Sequence, residues 1–136
     1  MHLTLPTEDF DALLERAFRR IPPEFRSRMA NVAVVVENEP SPDQLRRSRV
    51  GHGNTLLGLY EGRPLRFRSV SEGFNMPDQI TIFQRPHEQI ARDEHHLERL
   101  VEQTLWHEIA HYFGMNEREV RHAERQRRHR RQWPHS

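Results

Sequence analysis

The chain is predicted to form a single α+β domain, in which a small mixed sheet packs against an N-terminal helix and a long helix that carries a histidine motif. Apolar residues recur at helical spacing from Phe10 to Ile21 and again from Val101 to Phe113. Between these segments lie short β-branched or alternating runs, which are typical of strands. With 136 residues, the chain is long enough to bury one core but too short for two.

The elements of the first half follow from apolar spacing and from the positions of proline. The first helix is predicted to begin with Thr7 as its N-cap and to stop at the pair Pro22-Pro23. Residues 23 to 29 are expected to add one short turn of helix. A β-branched run at residues 32 to 37 predicts a buried strand. The stretch from residue 40 to residue 54 is predicted to be a long excursion with a helical turn at residues 43 to 47.

The second half is predicted to complete the sheet and then to become helical. Residues 55 to 61 and 64 to 68 are expected to form strands on either side of a turn that contains Gly62. Alternation at residues 79 to 84 predicts a strand at or near the sheet edge. Pro86 opens a helical region that is expected to break near Asp93 and to continue to Phe113. The core side of that last helix is expected to carry Val101, Leu105, Ile109, Tyr112 and Phe113.

Residues 107 to 117, which read His-Glu-Ile-Ala-His-Tyr-Phe-Gly-Met-Asn-Glu, are the most informative part of the chain. His107 and His111 are four residues apart, so on a helix both rings lie on the same face and can reach one metal ion. Two imidazoles and one further protein ligand are typical of a catalytic Zn²⁺ site, in which water takes the fourth position. Glu108 points about 100° away from His107 around the helix, which predicts a general base and not a ligand.

The third ligand is expected just beyond the end of this helix. Gly114 can adopt the left-handed conformation that ends a helix and turns the chain back toward the metal. Glu117 follows within that turn and is the leading candidate. Glu119 and His122 remain alternatives, because a helix that restarts after Asn116 would send these side chains in different directions.

The other histidines lack a partner at the spacing of metal ligands. His96 lies on the same helical face as His107, but the rise between them is about 16 Å, which is too far for a shared metal. Solvent-exposed or turn positions are expected for His2, His52, His87 and His95.

The string from Thr104 to Gly114, Thr-Leu-Trp-His-Glu-Ile-Ala-His-Tyr-Phe-Gly, resembles the core of a known family. This family is the small bacterial zincin-like metallopeptidases, single-domain zinc proteases with the metzincin-like motif His-Glu-x-x-His-x-x-Gly-x-x-Asp/Glu. The resemblance extends more loosely upstream, through residues 32 to 36, 58 to 60 and 79 to 83.

The resemblance implies a zincin-like fold, a Zn²⁺ cofactor and hydrolysis of peptide bonds. It places zinc on His107, His111 and Glu117 and makes Glu108 catalytic. One departure from larger metzincins concerns the floor of the site: no methionine follows Met115, so the Met-turn that normally underlies the zinc is absent or replaced.

Composition predicts the compartment and the class of partner. The chain contains no cysteine, which excludes disulfides and thiolate zinc sites and favours a reducing compartment. The N-terminus carries acids instead of a basic and apolar leader, and no apolar run approaches about 18 residues. A cytoplasmic protein without membrane contact is therefore expected.

Charge is distributed unevenly along the chain. Residues 1 to 117 are predicted to form the metallopeptidase domain, and residues 118 to 136 an arginine-rich C-terminal extension. The extension holds seven arginines against Glu119 and Glu124. It is expected to be a charged helix or a frayed tail, and weak contact with nucleic acid or an acidic partner is a secondary hypothesis.

Two functions remain open at this stage. The leading one is zinc-dependent hydrolysis of a peptide or protein substrate that lies extended along residues 79 to 84, with Tyr60, Tyr112 or an arginine as the oxyanion donor. The alternative is a non-catalytic, zinc-bearing regulatory or binding module whose basic tail engages nucleic acid or an acidic partner.

Overall fold

The computed structural model describes residues 3–48, 55–62 and 78–132, and it describes side chains there except those of Glu117, Val120 and residues 127–132. The described part confirms the α+β class. The described ranges contain nine elements: α1 (Thr7–Arg19), α2 (Pro23–Arg26), β1 (Val32–Glu37), α3 (Pro42–Ser48), β2 (Gly58–Glu61), β3 (Asp78–Phe83), α4 (Gln84–Ile90), α5 (Glu94–Tyr112) and α6 (Glu117–Gln132). The strand predicted at residues 64 to 68 lies outside the described residues.

The three described strands form a mixed sheet in the order β1-β3-β2. Strand β1 runs parallel to β3, with Val32 opposite Asp78. Strand β2 runs antiparallel to β3, with Gly58 opposite Ile82. The prediction that residues 79 to 84 form a strand at or near the sheet edge is therefore wrong, because β3 is the central one of the three described strands and pairs on both sides. The alternation suggested that polar residues such as Thr81 face solvent, but Thr81 is fully buried.

Strand β1 matches its predicted range, but it is less buried than its sequence suggests. Its residues are half-buried, apart from the exposed Glu37. Among the described strands it pairs only with β3, so one of its two edges has no strand beside it there. A β-branched run suits a strand at the edge of a sheet as well as a central strand, because β propensity reflects packing on a pleated surface.

The hydrophobic core lies where α1 and α5 pack on each other and on β3. Phe25 of α2 closes one end of it through an edge-to-face contact with Trp106, at 5.0 Å between ring centroids. This packing fixes the rotation of α5, so its motif histidines lie on the side away from the core. The fully buried core members are Phe10, Leu13, Ala17 and Ile21 from α1 and its end, Ile80 and Ile82 from β3, and Leu97, Val101, Leu105 and Ile109 from α5.

The helix ends differ in one respect from the prediction. Thr7 is the first residue of α1 and not its N-cap; Pro6 occupies the cap position, and its carbonyl accepts from the Asp9 and Phe10 N–H groups at 3.0 Å each. The break near Asp93 is confirmed. The Asp93 carboxylate caps α5 by accepting from the His96 N–H at 2.7 Å.

A cluster of charged side chains joins the end of α1 to α5. Arg20 donates to the carboxylates of Glu98 and Glu102, and Arg16 donates to Glu98 at 2.9 Å. The Glu102 side chain is fully buried. Partial burial opposes ionisation of Glu98, but the hydrogen bonds from Arg16 and Arg20 outweigh it and hold the pKa of Glu98 below its usual range.

His87 of α4 is fully buried, so its prediction as an exposed or turn residue is wrong. Its Nδ1 lies 2.7 Å from the Phe83 carbonyl oxygen, which can only accept, so Nδ1 carries the proton. Its Nε2 lies 2.8 Å from the hydroxyl oxygen of Thr104 on α5. Burial lowers the pKa of His87 to about 4 from its ordinary 6.5, and the ring is therefore neutral at pH 7.

Acidification is expected to destabilise the protein through His87. Between pH 6.5 and about 4 the unfolded chain binds a proton at this ring that the folded chain does not, so this contribution to stability is complete above pH 6.5 and falls as the pH falls. The shift corresponds to about 3 kcal/mol at most. Urea unfolding at pH 7 and pH 4.5 measures how far the free energy of unfolding falls on acidification. This fall should be smaller for His87→Gln than for the wild type. Equal losses in the two proteins would contradict the assignment.

Candidate metal and catalytic site

The helix that carries the motif ends as the sequence predicts. Gly114 has a φ of 72°, in the left-handed region that favours glycine. The Gly114 N–H donates to the His111 carbonyl at 3.0 Å, and the Met115 N–H donates to the Ala110 carbonyl at 3.0 Å. These two bonds form a Schellman motif, which turns the chain sharply after α5. The turn brings α6 back beside the side of α5 that carries the histidines.

His107 and His111 lie one turn apart on α5. Their ring centroids are 4.9 Å apart and their planes are inclined by 67°. His107 is half-buried and His111 is exposed, so both rings are accessible from solvent. Two neighbouring imidazoles on one helical face fit the nitrogen ligands of a Zn²⁺ ion.

Glu108 lies beside this pair, and its side chain is held from the sheet. Its residue is only 8% exposed. Its Oε1 accepts from the Tyr60 backbone N–H of β2 at 2.9 Å and lies 3.4 Å from Nδ1 of His111. The carboxylate is therefore fixed between the strand and the histidine pair.

Glu119 and His122, the alternatives for the third ligand, lie outside the groove beside His107. Asn116 and Glu119 form a capping box at the start of α6: the Glu119 N–H donates to Oδ1 of Asn116 at 2.8 Å, and the Asn116 N–H donates to Oε1 of Glu119 at 3.4 Å. Glu119 and His122 line a separate pocket with Met115. Among the described side chains, no three histidines or carboxylates are close enough together to hold a metal ion. The side chain of Glu117 lies outside that description, so Glu117 stays a prediction.

A groove of about 540 Å³ opens beside the histidine pair. One wall is the segment that leads into β2, the other wall is α5, and of the described side chains of α6 one lines the groove. Its lining residues are Thr55, Leu56, Leu57 and Gly58 on the first wall, Leu100, Gln103, Thr104, His107 and Glu108 on the second, and Glu124 from α6.

Sequence reasoning missed Glu124 as a residue of this groove. The signal was present as helical periodicity, because position 124 follows position 117 by seven residues, or two turns, and so lies on the same side of α6. Periodicity within α6 does not indicate where that helix packs, and only the turn at the end of α5 places α6 beside the groove. Ala123, the neighbouring residue, packs against the hydrophobic core and fixes this part of α6 in place.

Gly58 allows β2 to approach α5 closely at the groove. A Cβ atom at this position would lie 2.6 Å from Cγ2 of Thr104, 3.3 Å from Cγ of Glu108 and 3.3 Å from the Thr81 carbonyl oxygen. The first of these contacts is sterically impossible without movement. Glycine is therefore required here by space, and the space is occupied in part by the Glu108 side chain.

Replacement of Gly58 by alanine is expected to destabilise the protein by about 1–3 kcal/mol, because the new methyl group forces β2 away from α5. The change Thr104→Ser removes Cγ2 but keeps the hydroxyl that faces His87. The double variant should therefore regain part of the stability lost by Gly58→Ala. Urea unfolding of the single variants and the double variant measures this coupling, and additive losses would contradict the steric explanation.

Two of the predicted oxyanion donors have partners within the protein. The Tyr60 hydroxyl donates to Oδ2 of Asp78 at 2.8 Å, and the Tyr112 hydroxyl contacts the Arg28 carbonyl at 3.4 Å. The two rings meet edge to face, with centroids 5.8 Å apart. The geometry therefore favours neither hydroxyl as an oxyanion donor.

Comparison with known proteins supports the fold and identifies the family. A conserved hypothetical protein from Thermus thermophilus has a similar fold, with a TM-score of 0.54 and 24% sequence identity over 80% of this chain and 94% of that chain. No curated protein sequence matches the chain. None of the helices in the described ranges is long and apolar enough to span a membrane. The sequence model of the zincin-like metallopeptidases matches residues 29–127, which include all of α5 and its motif. The chain therefore belongs to the zincin-like metallopeptidase family, as its histidine motif predicted.

Proposed function

We propose that the protein is a zinc-dependent peptidase that hydrolyses peptide bonds, with His107, His111 and Glu117 as zinc ligands and Glu108 as general base. One observation carries the proposal. The two imidazoles lie together on α5, and Glu108 is fixed beside them at an open groove that is large enough for several residues of a peptide. The family assignment gives the same class of reaction.

The donor set suits zinc and leaves room for the third ligand. When bound, Zn²⁺ supplies Lewis acidity, which acidifies water and polarises a carbonyl group. Glu119 is engaged in the capping box of α6, and His122 lines a different pocket. Position 117 begins α6 on the side that faces the groove at position 124, which favours Glu117 over both alternatives.

Glu108 would move the proton in this reaction. Its Oε1 accepts from the Tyr60 N–H, so Oε2 is the oxygen that would take a proton from the attacking water. The same carboxyl would then give the proton to the leaving amine nitrogen as the peptide bond breaks. The low exposure of Glu108 favours this role, because its carboxylate is held in one position and little bulk water competes for it.

The substrate strand would add to β2 and not to β3. The Leu57 carbonyl accepts from the Phe83 N–H at 3.0 Å, so residue 57 faces β3. In an antiparallel pair the neighbouring positions 58 and 60 then direct their backbone groups away from β3. Tyr60 uses its N–H for Glu108, and the segment at residues 55 to 58 lines the groove. An extended peptide would lie along that segment and reach the histidine pair.

Metal analysis and peptide hydrolysis together test the proposal. The purified chain should bind one zinc per molecule, cleave a mixed peptide library, lose activity with a chelator and regain it with zinc. His107→Ala and His111→Ala should each lose zinc, whereas His95→Ala, an exposed change on the same helix, should retain it. Zinc that stays bound in both motif variants would contradict the ligand assignment. Comparison of Glu117→Ala with His122→Ala identifies the third ligand.

A further inference from the structure

Among the described side chains, the groove contains one acidic residue that the proposed reaction does not use, Glu124 of α6. The other carboxylate among the described lining residues belongs to Glu108. No arginine lines the groove among the described residues; Arg118, Arg121 and Arg125 of α6 are exposed to solvent. Glu124 is half-buried and forms no ion pair with any described side chain. The groove therefore presents a carboxylate whose charge is not neutralised by the described side chains around it.

Both walls of the groove that Glu124 lines carry apolar side chains beside polar ones. Leu56 and Leu57 lie on the strand side, and Leu100 lies on α5. A side chain with a methylene stem and a cationic end matches such a wall, since the stem contacts the leucines while the charge meets the carboxylate. Arginine and lysine have this shape. Acidic side chains would meet repulsion, and apolar ones would leave the Glu124 charge partly desolvated without a partner.

The length of the groove limits where this subsite lies along a peptide. Leu100 and His107 on the α5 wall are seven positions apart along the helix, which corresponds to about 10 Å. About three residues of extended peptide cover the same distance. Glu124 therefore lies within about three substrate residues of the peptide bond that would meet the histidine pair.

We propose that Glu124 gives the enzyme a preference for peptides with an arginine or lysine within three residues of the cleaved bond, an inference that rests on the proposed function. The carboxylate is held in place for this role, because Ala123 packs on the core and the capping box fixes the start of α6. A pair of opposite charges in a partly desolvated groove changes specificity on the order of tenfold.

Matched peptides test this preference in the full-length, zinc-loaded protein. The peptides differ at one position, which is arginine, norleucine or glutamate, placed in turn at each of the three residues on either side of the cleaved bond. At one of these positions the wild type should cleave the arginine peptide about tenfold faster, in kcat/KM, than the norleucine peptide. Glu124→Gln should lose this preference, and Glu124→Arg should favour the glutamate peptide. Glu8→Gln, which removes the charge of an exposed carboxylate outside the groove, is the matched control and should behave as the wild type.

The outcomes separate this inference from the proposed function. Cleavage without a charge preference, or a preference that survives Glu124→Gln, overturns the role of Glu124 and leaves the peptidase assignment in place. If no peptide is cleaved, the peptidase assignment fails, and binding then decides the inference: fluorescence anisotropy compares the arginine and norleucine peptides on Glu108→Gln and on Glu108→Gln/Glu124→Gln. About tenfold tighter binding of the arginine peptide, lost in the double variant, supports the subsite. Equal affinities overturn it.

Discussion

Replacement of Glu108 by glutamine is expected to lower kcat/KM for peptide hydrolysis by about 10³-fold while zinc remains bound. Glutamine cannot take a proton from water at neutral pH, so the step assigned to Glu108 is lost. Its amide oxygen can still accept from the Tyr60 N–H, and its size is nearly unchanged, so the fold and the histidine pair should stay as they are. Turnover of a fluorogenic peptide and metal content by mass spectrometry measure the two effects separately.

The control for this change is Glu8→Gln, an isosteric exchange of an exposed carboxylate outside the groove. Its activity and zinc content should equal those of the wild type. A Glu108→Gln protein that still hydrolyses peptides at a comparable rate would show that another group moves the proton. A Glu108→Gln protein that loses zinc would show that Glu108 supports the metal and not only the reaction.

Replacement of Arg20 by methionine is expected to destabilise the protein by about 2–3 kcal/mol. Arg20 donates to Glu98 and to Glu102, and the Glu102 side chain is fully buried. Loss of this cation leaves a buried carboxylate with less compensation for its lost hydration. Arg20 itself is 38% exposed, which places the expected effect below that of a fully buried pair. Urea unfolding at pH 7 gives the free energy.

The neighbouring residue provides the matched control. Arg19 donates to Glu15, one turn earlier on α1, and both side chains are exposed. Such a surface pair contributes about 0.3–0.5 kcal/mol, so Arg19→Met should change stability little. Similar losses for Arg19→Met and Arg20→Met would mean that α1 is weakened through helix propensity and not through the charged cluster on α5.

The parts of the fold that local sequence determines were predicted well. The spacing of Gly114 after the motif predicted a left-handed helix end, and the structure has one, because only the conformation of the chain at that residue is involved. The break near Asp93 followed from a residue that caps helices, and the Asp93 carboxylate does cap α5. The range of β1 followed from its β-branched run.

Features that depend on distant partners could not be predicted in this way. The central position of β3 is set by its pairing with both β1 and β2, and its polar Thr81 suggested an exposed face. His87 is buried because Thr104, seventeen residues later, provides a hydroxyl at the right place. Nothing in the spacing of the histidines indicates that contact.

The same distinction between local and distant contacts applies to the candidate site. The pairing of His107 with His111 follows from helix geometry alone, and the structure places their rings together. The hydrogen bond from Tyr60 to Glu108 and the place of Glu124 in the groove each require the packing of a second element against α5. Sequence spacing could therefore find the chemistry of the site, but not the walls that surround it.

The contact between β2 and Glu108 has an evolutionary consequence. Its donor is a backbone amide, which every residue type except proline supplies, so substitutions at position 60 can accumulate without removing the partner of the general base. Position 58 offers no such freedom, since even a methyl group collides there. Descendants of this protein can thus change the residue at position 60 freely with respect to this contact, whereas a side chain at position 58 requires a compensating change at Thr104.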